Sequence, residues 1–133
     1  MKALIAEDDF VSREIIKTIL QPYGICDIAV NGTEAVNLFM TAQEKNEHYD
    51  LICMDIMMPS LDGRAALKEI RRIEQESGVK DSNEVKVIMT TALDDPKTVI
   101  GSFKEGATAY LTKPIKKEML LEQLRSFGIA FGA

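Results

Sequence analysis

Four charged side chains follow short apolar runs in this sequence. Glu7 and Asp8 come after "ALIA", Asp55 comes after "LICM", and Lys113 comes after "AYLT". An unpaired carboxylate in apolar surroundings is costly, so each acid needs either a partner or a chemical task. The position of Asp55, at the end of a continuous apolar run, raises this question most sharply.

Carboxylates that share one pocket repel one another, and a hard divalent cation such as Mg²⁺ removes that repulsion. Mg²⁺ needs only one or two direct carboxylates, with waters and phosphate oxygens completing its shell. A metal shared with a phosphate would neutralise charge and allow Asp55 to act as a nucleophile. Lys113 would add a positive charge and the Thr91 hydroxyl a hydrogen bond.

Each of these residues also has a purely structural interpretation. An aspartate near a strand end is often a helix cap, and Asp9 or Asp62 could serve in that way. A lysine before a proline, as at Lys113, is often a surface residue. Acids, hydroxyls and a lysine at four different strand ends are nevertheless difficult to explain by capping alone.

Apolar runs and amphipathic stretches alternate along the chain. Strands are predicted at 2–6, 25–30, 50–55, 85–92 and 107–114. Helices are predicted at 10–24, 31–45, 62–77, 95–106 and 116–128. This alternation predicts a parallel sheet with both faces covered by helices. The carboxyl ends of parallel strands meet at one edge, where such sheets bind ligands, so the acids, Thr90, Thr91 and Lys113 should meet there.

Length and composition favour one soluble domain. The chain has 133 residues, of which 46% are apolar, enough for one core. A net charge of −5 argues against a nucleic-acid-binding surface. No apolar run is long enough to span a membrane, and the start becomes acidic before a signal peptide could form, so we expect a cytoplasmic protein without membrane insertion.

The cysteines and the single histidine offer no alternative catalytic chemistry. Cys26 and Cys53 are not in a CxxC pair, and we interpret both as small buried apolar residues. His48 lies in a polar run and is interpreted as a solvated loop residue. A Ser-His-Asp triad or a histidine-based metal site is therefore not expected.

The motifs "LIAEDD", "LICMDIMMPSLDG", "VIMTTA" and "AYLTKP" occur in the order and spacing of a known family. Over nearly its whole length the chain resembles the receiver domain of two-component response regulators. The resemblance implies a doubly wound, flavodoxin-like α/β fold. It further implies a five-stranded parallel sheet of order 2-1-3-4-5 with five helices, and a single receiver (phosphoacceptor) domain over residues 1–133.

The resemblance also implies the site chemistry. Asp55 would accept a phosphoryl group from a histidine of a sensor kinase or a histidine phosphotransfer protein. Mg²⁺ would bind to Asp8, to Asp55 and to the backbone carbonyl of Met57, and Glu7 would hold a metal-bound water. Asp9 aligns just past the acid pair and is expected to be a helix cap or a bystander.

A second group of residues is implied to form the switch. Thr91, rather than Thr90, aligns with the switch hydroxyl, and Lys113 with the family's lysine, whose bond to the proline is usually cis. Tyr110 aligns with the family's aromatic residue, which moves inward on phosphorylation. Its purely structural interpretation is a half-buried aromatic residue on an edge strand. The fourth helix, fifth strand and fifth helix would form the output face for a downstream protein that the sequence does not identify.

Two positions, Met57 and Leu93, are implied to set the phosphoryl lifetime. Both are apolar and cannot position an attacking water, which predicts slow self-dephosphorylation. The protein would then be mainly a signalling switch that catalyses its own phosphorylation and slow dephosphorylation. The sequence is compatible with a stand-alone receiver and with a receiver cut from a longer protein.

Other classes of protein were weighed against this one. A metal-dependent aspartyl phosphatase usually has a second acid two residues after its nucleophile, where this chain has Met57. An FMN carrier should have a first loop rich in Ser, Thr and Gly, and here the loop is "EDDF". A P-loop switch would need a GxxxxGK motif. A receiver-like scaffold that is never phosphorylated stays open as an alternative.

Overall fold

The sheet of this protein has five parallel strands in the order β2-β1-β3-β4-β5. The computed structural model describes residues 1–92 and 96–129, except the side chain of Asp81. The strands are β1 Lys2–Ala6, β2 Ile25–Ala29, β3 Leu51–Asp55, β4 Lys86–Thr91 and β5 Ala109–Thr112. The helices are α1 Phe10–Leu20, α2 Gly32–Glu44, α3 Gly63–Glu76, α4 Pro96–Lys104 and α5 Lys117–Ser126. The predicted doubly wound, flavodoxin-like fold is confirmed.

The predicted element boundaries agree with the structure to within about two residues, with one exception. The α-helical part of α1 ends at Leu20, and a short 3-10 turn, Gln21–Tyr23, replaces the last predicted residues. Pro22 lacks a backbone N–H and cannot continue the α-helical hydrogen bonding. The first predicted residue of α4, at position 95, lies outside the described residues.

Two apolar clusters cover the two faces of the sheet. Successive strand residues point to opposite faces, so Met54 and Met89 belong to the cluster that packs against α2 and α3. Cys53 and Ile88, which precede them, belong to the cluster that packs against α1 and α5. Strand β3 is buried along its whole length, as its continuous apolar run predicts.

One side of α1 carries apolar residues that the core does not cover. The apolar residues of α1 recur at helical spacing and form a stripe along the helix. The structure buries Ile16 and Leu20 against the sheet but leaves Phe10 and Val11 each 63% exposed, with Ile15 also exposed. The apolar stripe is therefore wider than the surface that the sheet offers to α1.

Helix α4 contributes little to the core, since Ser102 is its one buried residue. Its C-terminal end is held by Arg64 of α3, whose Nη2 and Nε lie 2.6 Å and 3.1 Å from the carboxylate oxygens of Glu105. The guanidinium crosses α4 at Gly101, where a Cβ atom would lie 2.5 Å from Arg64 Nη2. A side chain at this helical position would require the guanidinium to shift.

A second arginine of α3 connects α3 to the start of β4 and to the α4–β5 loop. Arg71 donates through Nε and Nη2 to the carbonyl of Gly106, at 3.0 Å and 2.8 Å. Its Nη1 lies 2.7 Å from Oε1 of Glu74, a carboxylate that is only 3% exposed. Glu74 also accepts a hydrogen bond from the backbone of Val85 at 2.7 Å. These contacts compensate a buried charge.

The cysteines only partly follow the prediction. Cys53 is buried, and burial raises the pKa of its thiol to about 12. Cys26 is half-buried rather than buried, because β2 is an edge strand and its residues are only partly covered. His48 is exposed in the loop before β3, as predicted. Within the described residues, no helix is both long enough and apolar enough to cross a membrane.

Candidate functional site

Three carboxylates come together at the carboxyl ends of β1 and β3. Glu7, Asp8 and Asp55 each place one oxygen within 4.8 Å of the others. Glu7 and Asp55 are buried, whereas Asp8 is exposed. The structure thus brings together the three acids that the sequence analysis selected.

The backbone around β3 explains how Asp55 reaches this edge. The ladder with β4 continues one residue beyond Asp55, because the Ile56 N–H donates to the Thr90 carbonyl at 3.1 Å. The chain then turns back, and the Gly63 N–H donates to the Ile56 carbonyl at 2.8 Å. A Cβ atom on residue 63 would lie 2.1 Å from the Asp55 carbonyl oxygen, so only glycine allows this close approach.

Lys113 connects two of the acids. Its Nζ atom lies 2.5 Å from Glu7 Oε1 and 3.1 Å from Asp55 Oδ2. The backbone N–H of Lys113 donates to the Thr91 carbonyl at 2.7 Å, which fixes the start of its side chain beside β4. The bond from Lys113 to Pro114 is cis, as the family resemblance implied.

The pKa values of Glu7 and Lys113 reflect their burial and their attraction to each other. Burial raises the pKa of Glu7, because an apolar environment disfavours the charged carboxylate, and the nearby Lys113 only partly opposes this. Burial alone would lower the pKa of Lys113, but its contacts with Glu7 and Asp55 outweigh burial and raise it. The ammonium of Lys113 therefore stays charged at neutral pH and partly compensates the acids.

Two other aspartates of this region have structural roles. Asp9 caps α1, and its Oδ2 accepts from the Ser12 N–H at 2.8 Å. This hydrogen bond lowers the pKa of Asp9. Asp62 caps α3, and its Oδ1 accepts from the Ala65 N–H at 2.9 Å. The capping interpretation of both residues is confirmed.

The two threonines at the end of β4 point to opposite faces of the sheet. Both are buried. Thr91 continues the face of Met89, on which Tyr110 of β5 packs half-buried against the α2–α3 cluster. Thr90 continues the opposite face and is the register partner of Asp55. Thr90 thus lies at the predicted sheet edge, although the family resemblance points to Thr91 as the switch hydroxyl.

A cleft of about 550 Å³ opens beside the acids, between the β3–α3 loop and α4. It is lined by Asp8, Ile56, Met57, Met58, Pro59, Asp62, Arg64 and Thr98. Met57 is 65% exposed, and its N–H lies 3.4 Å from Asp55 Oδ1. Leu93, the other position expected to affect the phosphoryl lifetime, lies outside the described residues. Arg64 and Thr98 were not selected from the sequence, because their proximity to the acids depends on how α3 and α4 pack.

The acid cluster fits a hard divalent cation by its donor chemistry. Glu7, Asp8 and Asp55 supply only oxygen ligands, which Mg²⁺ prefers. The cluster combines one exposed and two buried carboxylates, so a bound cation would be accessible from the cleft and would compensate buried charge. Glu7 Oε1 is buried, and apart from its ion pair with Lys113 it has no hydrogen-bond partner within the described residues.

The fold and this edge together define a flavodoxin-like α/β protein with an acid–lysine site at the carboxyl ends of its strands. Residues 3–125 match the response regulator receiver domain family. The chain belongs to this family, and thus to the receivers of two-component signalling.

Known relatives support this assignment. The chemotaxis protein CheY of Bacillus subtilis is 33% identical over 125 residues, which are 92% of this chain and 93% of CheY. The co-crystal structure of the Saccharomyces cerevisiae histidine phosphotransfer protein Ypd1 with the Ssk1 receiver domain contains a similar chain. That chain is 29% identical, with a TM-score of 0.82 and coverage of 96% of this chain and 88% of that chain.

A third relative was solved with a metal. The receiver domain of the Pseudomonas aeruginosa sensor histidine kinase PA1611, which has a magnesium ion in its active-site cleft, is 28% identical. Its TM-score is 0.76, and the alignment covers 95% of each chain. Other curated relatives are much longer, and the chain spans only 7% to 51% of the length of four of them.

Proposed function

We propose that this protein is a phosphoacceptor switch in which Asp55 receives a phosphoryl group from a histidine. The observation that carries this proposal is the position of the Lys113 ammonium, which contacts Glu7 and Asp55 at the strand edge beside Asp8. A fixed positive charge next to a carboxylate nucleophile stabilises the charge of a transferring phosphoryl group. The whole chain, residues 1–133, would act as one receiver domain in the cytoplasm.

Mg²⁺ would be held by the carboxylates of Asp8 and Asp55 and by the backbone carbonyl of Met57. Glu7 would bind a water of the metal. When bound, the ion neutralises the acids and orients the phosphoryl oxygens. The exposure of Asp8 and Met57 to the cleft supports access from that side.

The reaction is a displacement at phosphorus. An oxygen of Asp55 forms a new O–P bond while the N–P bond of the donor phosphohistidine breaks, and the leaving nitrogen keeps the electron pair. Lys113 moves its positive charge to the phosphoryl oxygens, because the acyl phosphate adds nearly two negative charges. Attack of water on phosphorus would later break the O–P bond, release inorganic phosphate and restore the Asp55 carboxylate.

The donor would be a sensor histidine kinase or a histidine phosphotransfer protein. Its docking is supported by the exposed side of α1, where Phe10, Val11 and Ile15 lie next to the acid cluster in the chain. An apolar patch of this kind favours contact with another protein over contact with water.

The effect of phosphorylation at Asp55 would be transmitted to β5, the edge strand, through Thr91 and Tyr110. These residues lie on the same face of the sheet, on neighbouring strands β4 and β5. Attraction of the Thr91 hydroxyl towards the phosphoryl group would make room for the Tyr110 ring to move inward. The surface of α4, β5 and α5 would then change shape and bind a downstream protein, which is a population shift biased by one local charge.

The proposed function is tested by incubating the protein with Mg²⁺ and acetyl phosphate and measuring its intact mass. We expect a gain of one phosphoryl group that disappears when a chelator removes the metal. Phosphoramidate, whose N–P bond resembles that of a phosphohistidine, serves as a second donor. No gain with either donor, in a folded protein, would favour the scaffold that is never phosphorylated.

Met57→Asn is expected to shorten the lifetime of the phosphorylated protein by about tenfold. This corresponds to a hydrolysis barrier that is lower by about 1.4 kcal/mol. The exposed thioether side chain of Met57 cannot position a water, whereas an amide can orient one for attack. The lifetime is measured as decay of the phosphorylated mass after the donor is removed. Met57→Leu, which stays apolar, is the control and should decay like the wild type. Leu93 is proposed to act in the same way as Met57. If phosphorylated Met57→Asn decayed at the same rate as phosphorylated wild type, the proposed role of both positions would be contradicted.

Tyr110→Ala is expected to separate phosphorylation from its structural response. Removal of the half-buried ring removes the group that moves, while Asp55, Lys113 and the acids stay in place. The mass gain should be unchanged, and the phosphorylation-dependent NMR shift changes of β5 and α5 should be reduced. Tyr23→Ala, at an aromatic on the α1–α5 side, is the control. Shift changes of wild-type size in Tyr110→Ala would exclude this ring as the switch.

A further inference from the structure

One arginine lines the cleft beside the acids and also holds the end of α4. The cleft of about 550 Å³ is lined by Asp8 and Met57 among others, and of the described residues that line it only Arg64 is basic. The Arg64 guanidinium donates to both carboxylate oxygens of Glu105, at 2.6 Å and 3.1 Å. The side chain of Arg64 is 37% exposed, so the guanidinium is accessible from the cleft.

The backbone of Arg64 starts close to the proposed phosphoacceptor. A Cβ atom on Gly63, the preceding residue, would lie 2.1 Å from the Asp55 carbonyl oxygen, so the Cα atom of Arg64 lies within about 8 Å of that oxygen. An arginine side chain, with five bonds of about 1.5 Å between Cα and the guanidinium carbon, covers a distance of this order. The Asp8 carboxylate, which lines the cleft with Arg64, has an oxygen within 4.8 Å of one of Asp55. A change of side-chain rotamer can therefore bring the guanidinium to a group bound on Asp55.

Phosphoryl transfer leaves this site with one negative charge that is not compensated. Before transfer, the negative charges of Glu7, Asp8 and Asp55 would be balanced by Lys113 and the proposed divalent cation. The acyl phosphate carries nearly two negative charges in place of the single charge of Asp55. A guanidinium binds phosphate oxygens through two parallel N–H donors and is more weakly hydrated than an ammonium. Arg64 is the cation of the cleft that can compensate the added charge.

We propose that the Arg64 guanidinium is a phosphoryl-binding group that exchanges partners, leaving Glu105 at the end of α4 for the phosphoryl oxygens on Asp55. No covalent bond changes in this exchange, because hydrogen bonds to a carboxylate are replaced by hydrogen bonds to phosphoryl oxygens. The inference rests on the proposed function and deepens it, since it names a further ligand of the phosphoryl group and the way in which its charge affects α4.

The exchange would release the C-terminal end of α4. Glu105 directly follows the last residue of α4, and a negative charge at the C-terminal end of a helix is unfavourable unless a cation compensates it. The helix buries only Ser102, so its end can move and expose the Glu105 carboxylate to water with little loss of apolar contact. The added charge on Asp55 would thus loosen α4 through α3, in addition to its effect on Thr91 and Tyr110.

Two substitutions that break the same ion pair test this exchange, because we expect them to act in opposite directions. Arg64→Gln removes the proposed phosphoryl ligand, whereas Glu105→Gln removes the acid that competes for it. The probe is beryllofluoride, an anion that binds to a carboxylate oxygen as an analogue of the phosphoryl group and adds one negative charge. Its Kd is measured at saturating Mg²⁺ by NMR titration of the backbone amides. We expect the Kd to rise about fivefold in Arg64→Gln and to fall about threefold in Glu105→Gln, as for one charge-assisted contact at a partly exposed site.

Arg72→Gln and Glu69→Gln are the matched controls for the loss of one charge. Both residues lie in α3, and they form an ion pair of 2.7 Å between exposed side chains. Arg72 starts about two helical turns after Arg64. Both control variants should bind beryllofluoride with a Kd within about twofold of that of wild type, since exposed charges at this distance are screened by salt.

Each other outcome has a definite meaning. Changes of the same sign in Arg64→Gln and Glu105→Gln would mean that the ion pair is only a clamp on α4, and would overturn the inference. A change in one of the two variants alone, or changes no larger than those of the controls, would overturn it as well. Wild-type protein that neither gains a phosphoryl group from acetyl phosphate nor binds beryllofluoride would contradict the proposed function and the inference together. If wild type is phosphorylated but the two variants do not act in opposite directions, the inference alone is wrong.

Discussion

Protein carrying Asp55→Asn is expected to gain no phosphoryl group from any donor. An amide side chain cannot form the mixed anhydride that a carboxylate forms with phosphorus. Intact mass after incubation with Mg²⁺ and acetyl phosphate measures the effect, which should be complete rather than partial. Lys113 still has Glu7 as a partner at 2.5 Å, so the site should stay folded.

The matched control for this loss is Asp50→Asn. Asp50 lies at the opposite end of β3, where its carboxylate accepts from the Lys2 N–H at 2.9 Å. The two variants make the same chemical change at the two ends of one strand, and Asp50→Asn should be phosphorylated like wild type. If Asp55→Asn still gained one phosphoryl group, the acceptor would be another residue, with Asp8 the first to examine by peptide mass. The assignment of Asp55 would then be wrong.

Arg71→Ala is expected to lower the free energy of unfolding by about 3 kcal/mol, the cost of leaving a buried ion pair with one partner. Glu74 would keep its hydrogen bond from Val85 but lose its compensating charge, in a position that is 3% exposed. The carbonyl of Gly106 would also lose both of its arginine donors. Urea unfolding at neutral pH measures the change.

Arg72→Ala provides the control for this stability loss. Arg72 is the next residue in the same helix and also contacts two carboxylates, Glu69 at 2.7 Å and Glu76 at 2.8 Å. Its side chain is half exposed, and solvent-exposed ion pairs contribute little to stability. We expect a much smaller change than for Arg71→Ala. Equal losses in the two variants would mean that the ion pairs within α3, which both arginines make, determine the effect, and not the burial of Glu74.

The order and type of the main elements could be predicted because each of them has its own local pattern. The continuous apolar run of β3 indicated a strand buried on both faces, and the structure buries every residue from Leu51 to Asp55. The strand order came from the family resemblance, not from periodicity. The boundary of α1 was predicted too late, because Pro22 stops the α-helix one turn before the apolar pattern ends.

The acid cluster could also be predicted, because parallel strands bring their carboxyl ends to one edge. That rule placed Glu7, Asp8, Asp55 and Lys113 together without any knowledge of side-chain geometry. The rule says which residues meet but not which atoms touch. The contact of Lys113 with Glu7, the shorter of its two ion pairs, was not anticipated.

Features that depend on tertiary packing could not be predicted. Arg64 and Arg71 have the same helical periodicity as any exposed basic residue, and the placement of α4 and its following loop brings Glu105 and the Gly106 carbonyl to them. The exposure of part of the apolar stripe of α1 depends on packing for a related reason. Helical spacing identifies an apolar stripe, but the width of the covering sheet decides whether Phe10 and Val11 are covered.

The way in which α4 is attached has a consequence for how the folded protein opens. One buried residue, Ser102, and two arginines from α3 hold this helix and its following loop, whereas the helices on the other side bury several leucine and isoleucine side chains. Local opening costs least where little apolar area is lost. Amide hydrogens of α4 should therefore exchange with solvent through a sub-global opening, well before those of β1, β3 and β4. Within the surface proposed to change on phosphorylation, α4 is thus the part that is least expensive to rearrange.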